Sequence, residues 1–103
     1  MLGQVRPSAN TLTTAYTVPS ATEAVISTIV VTNSGPAATT YRIAIRKNGD
    51  SITSAMYIAY DVSVPLLDSV ALTIGVTLDA ADVISVESYN GLTNFHIFGS
   101  EIA

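Results

Sequence analysis

His96 is the only histidine in the sequence, and its surroundings argue against catalysis. It lies in Asn94-Phe95-His96-Ile97-Phe98, a segment typical of a β-strand. A general base needs an orienting acid and a reacting group within hydrogen-bond reach, and the segment indicates neither. The sequence also lacks a Gly-x-Ser-x-Gly nucleophile motif and a glycine-rich phosphate loop. We expect a protein that is not an enzyme, with no catalytic residues and no cofactor.

Aspartates are the next candidates, because carboxylates supply the oxygen ligands that Ca²⁺ prefers. Asp61, Asp68, Asp79 and Asp82 lie at predicted strand ends or in loops, and the last two are three residues apart across one turn. That spacing matches no defined calcium loop. Aspartate also favours turns for a simpler reason, since its side chain hydrogen-bonds its own backbone. We therefore expect no metal site.

The five tyrosines could form a platform on which sugar rings stack, with Tyr57, Tyr60 or Tyr89 binding the glycan; the other two are Tyr16 and Tyr41. The absence of tryptophan weakens that interpretation. Tyrosine suits protein interfaces equally well, because it combines an apolar body with a polar tip. In the alternating segment 51–64, Tyr57 and Tyr60 fall on opposite faces. At least one of the two side chains should therefore point away from the core, and Tyr57 is a candidate for an interface.

The composition indicates a β-protein whose surface is partly covered by protein. Thr, Val and Ile supply 34 of the 103 residues, and β-branched side chains pack well on pleated sheets. Charged residues make up 12% of the chain, about half of the usual quarter. We interpret this shortage as sheet faces that meet another protein copy. The alternative is a surface made soluble by Thr and Ser hydroxyls.

The charge and the apolar pattern exclude two kinds of partner. The net charge is −4, whereas nucleic-acid binding by counterion release needs clustered Lys and Arg. Only Arg42, Arg46 and Lys47 come close together in the sequence. No stretch approaches the roughly 18 apolar residues of a membrane span, and the first residues lack a signal-peptide pattern. We expect neither nucleic acid nor membrane as a partner, and synthesis in the cytosol.

Turn residues divide the chain into short segments that alternate with a period of two. Residues 1–10 lack periodicity and predict an extended N-terminal arm, which leaves 11–103 as one domain. Asn48-Gly49 and Asn90-Gly91 predict hairpins, because both central residues of a type I′ turn need positive φ. The predicted strands span 11–18, 23–32, 39–47, 51–64, 69–78, 82–89 and 92–98, followed by a tail, 99–103. The pattern predicts an all-β fold, an antiparallel β-sandwich of seven or eight strands with jelly-roll or other Greek-key connections.

Segments spread from end to end of the chain carry a resemblance to a known family. They are Leu2-Gly3-Gln4, Pro7, Thr11-Leu12-Thr13, Tyr16-Thr17-Val18-Pro19, Tyr41-Arg42-Ile43-Ala44-Ile45-Arg46, Tyr60-Asp61 and Phe98-Gly99-Ser100-Glu101-Ile102. Through them the chain resembles small virion structural proteins of tailed bacteriophages, especially those of cyanobacterial and other aquatic hosts. None of the segments is a catalytic signature. The resemblance implies a compact β-domain that assembles on the particle, most simply a capsid decoration (cement) protein.

The resemblance also implies a location in the virion, with the major capsid protein or other virion proteins as partners. We expect a homotrimer, because capsids offer three-fold positions and closed cyclic symmetry is usual among homo-oligomers. The alternatives are a tail, baseplate or fibre component, and, in a different class, a carbohydrate-binding β-sandwich module. The residues predicted to make contacts lie in the arm, on a mid-chain face and near the C-terminus: Leu2, Val5, Pro7, Arg42, Arg46, Tyr57, Phe98, Glu101 and Ile102.

Overall fold

The computed structural model describes residues 2–102, which form eight β-strands in two antiparallel sheets. The strands are β1 (Gly3–Val5), β2 (Thr13–Thr17), β3 (Glu23–Asn33), β4 (Thr39–Arg46), β5 (Tyr57–Val64), β6 (Ser69–Leu78), β7 (Val83–Ser88) and β8 (Thr93–Ile102). Two short 3₁₀ turns, Lys47–Gly49 and Ser54–Met56, lie between β4 and β5. Within the described residues, no helix is long and apolar enough to cross a membrane.

The strand order defines the wiring of the sandwich. One sheet, called the β3 sheet, has the order β1-β8-β3-β6, and the other, called the β4 sheet, has the order β2-β7-β4-β5. β1 pairs with β8, β2 with β7, β3 with β6 and β4 with β5, always antiparallel. This nested pairing is that of a long hairpin wrapped into two layers, which is a jelly roll. The predicted antiparallel β-sandwich is therefore confirmed.

β-Branched and aromatic side chains from both sheets fill the space between the layers. On β3, a bulge at Ser27 shifts the alternation, so that Ile26 and Ile29 are both fully buried. Tyr41 of β4 meets Phe95 of β8 edge to face, with ring centroids 6.0 Å apart, a favoured aromatic geometry. The core therefore joins the two sheets through their central strands.

The predicted arm and tail are built into the sandwich. Residues 3–5 form β1, which pairs with β8 from Gly3↔Ile97 to Val5↔Phe95. At the other end of the chain, β8 continues through Ile102, the partner of Glu23 on β3. Residues 99–102 are thus the end of a strand, because β3 is long enough to pair with them. Met1 and Ala103, the ends of the predicted arm and tail, lie outside the described residues.

The two hairpin predictions turn out differently. Asn48 and Gly49 have φ of 56° and 70°, as a type I′ turn requires, but β5 begins only at Tyr57, so a long loop joins β4 to β5. The Asn90-Gly91 prediction is wrong, because this turn joins β7 in one sheet to β8 in the other. Its geometry comes from Asn90, whose Oδ1 accepts the N–H of Leu92 at 2.9 Å.

β5 departs most from the predicted strand 51–64. Its pairing register with β4 shifts twice, and Asp61, with φ of 52°, lies within one of the shifts. Each shift inserts extra backbone that turns the following side chains to the other face. Tyr57 and Tyr60 consequently contact each other, with ring centroids 5.0 Å apart. The prediction that these two tyrosines lie on opposite faces is wrong.

Candidate interaction surfaces

Arg42, on the outer face of the β4 sheet, is held by three neighbouring side chains. β4 lies between β5 and β7, so Asp61 approaches from one side and Glu87 from the other. Arg42 Nε donates to Asp61 Oδ1 at 2.7 Å and Nη2 donates to Oδ2 at 3.2 Å. Nη1 lies 3.6 Å from Glu87 Oε2, and the guanidinium carbon lies 4.1 Å from the ring centroid of Tyr60. These contacts fix the orientation of the guanidinium.

The electrostatics of this group follow from the hydrogen bonds between Arg42 and Asp61. The bond to the carboxylate raises the pKa of Arg42, against a smaller opposing effect of burial. The same bond lowers the pKa of Asp61, which therefore keeps its charge to lower pH than a free aspartate. Because both groups are open to water, we assign the pair to positioning rather than to stability.

A cleft of about 390 Å³ opens beside Arg42, within the size range of small-ligand sites. Tyr89 is 67% exposed at its rim, so one ring face is free beside fixed hydrogen-bond donors and acceptors. An apolar ring with nearby charged groups suits a polyhydroxyl ligand, since a sugar presents both an apolar face and hydroxyls. The lining residues are Asn10, Thr40, Tyr41, Arg42, Asp61, Glu87 and Tyr89.

The sandwich is open along one side, where β5 ends one sheet and β6 ends the other. Neither strand has a neighbour beyond it, so the apolar side chains between them are incompletely covered. We call this strip the open edge. On β6 it comprises Val70, Leu72, Ile74 and Val76, which pack on the core yet stay half-buried. On β5 and the turn after it, the exposed members are Ile58 (45%), Val62 (38%), Leu66 (52%) and Leu67 (72%).

A second apolar area lies on the outer face of the β3 sheet. Phe98 is 38% exposed and Ile102 is 58% exposed, both on β8. Phe98 pairs with Thr28 on β3, and cross-strand partners share a face. We call this area the Phe98 face. Phe98 and Thr28 lie side by side, and Ile102 lies four residues further along β8, opposite Glu23.

Arg6 and His96 line a separate cleft of about 370 Å³ near the start of β8. Arg6 Nε donates to Asn94 Oδ1 at 2.8 Å, and its Nη2 donates to Ser34 Oγ at 3.0 Å. These bonds tie the segment after β1 to the β3 sheet. His96 thus lies on a surface rather than in the core.

The predicted contact residues are distributed over these surfaces and the core. Phe98 and Ile102 form the Phe98 face, and Arg42 and Tyr57 lie around Tyr60. The remaining ones have partners within the domain. Leu2 and Val5 pack against the core, and Pro7 is buried. Arg46 donates hydrogen bonds to the backbone carbonyls of Asp50 at 2.7 Å and Gly49 at 3.0 Å. Glu101 accepts a hydrogen bond from Tyr16.

Asp79 and Asp82 lie close together in the turn between β6 and β7, and Asp82 stabilises this turn. Asp82 is 3% exposed, and its carboxylate accepts the N–H of Asn48 at 2.8 Å and of Asp79 at 3.0 Å. Burial acts to raise the pKa of Asp82, but these hydrogen bonds and nearby Lys47 outweigh it and lower the pKa. Lys47 Nζ lies 2.8 Å from Asp79 and 3.6 Å from Asp82. In residues 2–102, no three His, Cys, Asp or Glu side chains form a group that could hold a metal ion.

Sequence reasoning missed Asn10, the open edge and the contact of Glu87 with Arg42. Glu87 lies directly opposite Arg42 across β4 and β7, but no local pattern pairs strands so far apart in the chain. Leu66-Leu67, two adjacent apolar residues after Pro65, were a visible indication, because a turn seldom carries large apolar side chains without a partner.

Comparisons with known proteins add no relative to this description. No family model, no curated protein and no solved structure matches the chain. The class, an eight-stranded jelly-roll domain with two apolar surfaces and two polar clefts, therefore rests on the strand order and the side-chain geometry above.

Proposed function

We propose that this chain is a structural protein of a bacteriophage particle, a capsid decoration protein that stabilises the head by binding capsid subunits. The observation that carries the proposal is the exposed apolar surface of the Phe98 face and the open edge, in a chain with only 12% charged residues. Contiguous apolar surface of this kind marks protein contacts. The resemblance to virion proteins supports the proposal, and the jelly roll is a fold that capsid domains use.

The Phe98 face is the surface that we assign to the capsid. Phe98 and Ile102 supply apolar area, and Thr28 supplies a hydroxyl beside them. Leu2 and Val5, predicted to reach a neighbour, instead pack at the β1 edge next to β8. From within the domain, they stabilise the pairing of β1 with β8, the strand that carries the Phe98 face. A decoration protein that bridges several capsid subunits binds only the assembled shell. Its binding therefore favours the closed shell by mass action.

The test uses particles stripped of the protein and separated into heads and tails. The purified chain should sediment with heads, and Phe98→Ser should weaken binding roughly tenfold or more, because a buried aromatic contributes about 1.5–3 kcal/mol. Tyr89→Ser is the matched control: it truncates an exposed aromatic directly after β7 of the other sheet and should bind heads like the natural protein. Binding to tails alone would move the protein to the tail, baseplate or fibre. Binding to neither would overturn the proposal.

A carbohydrate-binding module is the second candidate, favoured by the cleft beside Arg42. It predicts binding of host glycans with Tyr89 as the stacking ring and Arg42 and Glu87 as hydrogen-bonding groups. On a glycan array, Tyr89→Ser should lose the signal and Phe98→Ser should keep it. An array without signal for the natural protein would dismiss this candidate and leave the first one untouched.

A further inference from the structure

We propose that a second copy of this chain pairs with the free edge of β6, antiparallel and about a two-fold axis at Ala71. The proposal rests on the edge strand itself and does not depend on particle binding. It makes part of the open edge an interface between two copies.

Four strands end the two sheets, and three of them are protected against pairing with another chain. β1 has three residues, and β2 has five with an irregularity after Thr14. β5 contains two register shifts and carries Asp61. Shortness, bulges and charges are the devices that block edge pairing. β6 has ten residues and neither a charged residue nor a proline. Its own irregularity, at Gly75, leaves residues 69–73 regular, so this segment is the unprotected edge.

β6 also offers a regular row of backbone groups. From Ser69 to Thr73 it pairs residue for residue with β3, from Thr32 back to Thr28, without a shift. The backbone N–H and C=O groups on its other side have no strand beside them. The irregularity at Gly75, with φ of 55°, lies beyond this segment. A strand added at the 69–73 segment can therefore form an undistorted antiparallel ladder.

The segment is complementary to itself. An antiparallel two-fold at Ala71 places Ser69 opposite Thr73, Val70 opposite Leu72 and Ala71 opposite its own copy. Hydroxyls then meet hydroxyls and apolar side chains meet apolar ones, as favourable cross-strand pairs do. An isologous contact requires this self-complementarity. It argues for a second copy rather than an unrelated strand.

The charges permit the contact even though each chain carries a net charge of −4. The 69–73 segment has no charged residue, and Asp68 next to it falls opposite Ile74 of the other copy rather than opposite an acid. Two like charges directly opposite would be destabilising. The negative charge of the chain thus stays away from the two-fold axis.

The overlap between the two copies fits a weak, concentration-dependent dimer. A two-fold axis at Ala71 pairs residues 69–73 of one copy with the same residues of the other, a ladder about 17 Å long, and the shortest extent of the molecule is 18 Å. The contact then covers roughly 300 Å² per copy and about 600 Å² in total, the size of a weak or transient interface. The pairing would join the two β3 sheets into one eight-stranded sheet. Both Phe98 faces would lie on the same side of it, so a particle surface could bind both at once.

The experiment measures mass in solution and amide exchange. At about 1 mM, light scattering and sedimentation of the natural protein should give a dimer, and Ala71→Lys should give a monomer with dissociation at least about 100-fold easier, about 2.7 kcal/mol. Ala71 is exposed, so at dilutions at which both proteins are monomeric the variant should unfold at nearly the same temperature. Ala71→Ser and Thr14→Lys, the latter an exposed position on β2, should both remain dimeric. Those amides of residues 69–73 that point away from β3 should exchange at least about tenfold faster in Ala71→Lys than in either control.

Three results would overturn the proposal. They are a natural protein that stays monomeric at about 1 mM, a trimer, and an Ala71→Lys variant that remains dimeric. A trimer would instead support the homotrimer expected from the resemblance, because a two-fold edge contact cannot close a ring of three. None of these results depends on whether heads or tails bind the protein, so this test and that of the proposed function can fail separately.

Discussion

The hydroxyl of Tyr16 in the β4 sheet donates a 2.5 Å hydrogen bond to the carboxylate of Glu101 in the β3 sheet. Tyr16 is 8% exposed and Glu101 is exposed, so this partly buried bond links the two layers near the surface. It holds the last part of β8, which the sequence predicts to be a tail, against the sandwich. Burial first, and then the hydrogen bond and charge of Glu101, raise the pKa of Tyr16 from 10.0 to about 12.

Tyr16→Phe should lower the free energy of unfolding at pH 7 by about 1 kcal/mol, because it removes one hydrogen bond to a charged group. The raised pKa means that this contribution is present below pH 10 and is lost as the pH rises towards about 12. Urea unfolding at pH 7 and at stepwise higher pH should therefore show the two proteins converging. Tyr89→Phe, at an exposed position, is the control and should track the natural protein. A constant difference up to the highest pH would contradict the prediction.

Asp82→Asn should destabilise the fold by about 1–3 kcal/mol, because an amide nitrogen cannot accept one of the two backbone N–H bonds that the buried carboxylate holds. The pKa of Asp82 is lowered from 3.8, so its contribution is complete above that value and is lost as the pH falls through the lower, folded-state pKa. Unfolding in urea at pH 7 and in acid should show the variant losing less stability than the natural protein on acidification. Asp50→Asn, at an exposed position, should change neither measurement.

Gly99→Ala should destabilise the fold by about 3 kcal/mol or more, the range of severe steric conflicts with the backbone. A Cβ at Gly99 would overlap the carbonyl oxygen of Val25 and press on the Cα of Ile26, and backbone cannot rotate away as a side chain can. Thermal unfolding measures the loss. Gly49→Ala is the comparison: its φ of +70° costs about 1–2 kcal/mol, but its nearest neighbour lies 3.7 Å away. Equal losses of stability in the two variants would contradict the prediction, because they would show that the backbone of Val25 and Ile26 moves away from the new Cβ.

Ala21→Gly should raise the free energy of unfolding by about 0.5–1 kcal/mol, because Ala21 is exposed and has φ of 54°, which strains an alanine. Ala38→Gly, at an exposed position outside the positive-φ set, should lower it, since glycine gains entropy in the unfolded chain. Chemical unfolding of the two variants checks the opposite signs. A loss of stability in Ala21→Gly would mean that the entropy of glycine outweighs the relieved strain.

Much of the fold can be predicted from local patterns. The β-branched alternation locates β3, β4, β6, β7 and β8 within a few residues at most boundaries, because a half-covered strand needs apolar side chains at every second position. The bounds of β5 cannot be predicted in this way. Its two bulges break the period of two, and a bulge depends on how the neighbouring strand is paired.

The candidate sites are less accessible to sequence reasoning. Arg42 could be chosen from the chain, and so could Tyr60 and Asp61, since all three belong to the segments that carry the resemblance. Their contacts could not, because Asp61 reaches Arg42 only through the bulge in β5, and Glu87 only through β7. Likewise, Phe98 and Ile102 could be named as contact residues, whereas the open edge exists only once β5 and β6 are the last strands of their sheets.

By itself, the sequence determined that this protein is a β-sandwich with few charges, since side-chain shape and period act over neighbouring residues. The tertiary structure alone decided which strands pair, which edges stay unprotected and which charges meet. Those properties depend on contacts between residues far apart in the chain, such as Tyr16 with Glu101. Their free energy appears only when the two layers close around one core.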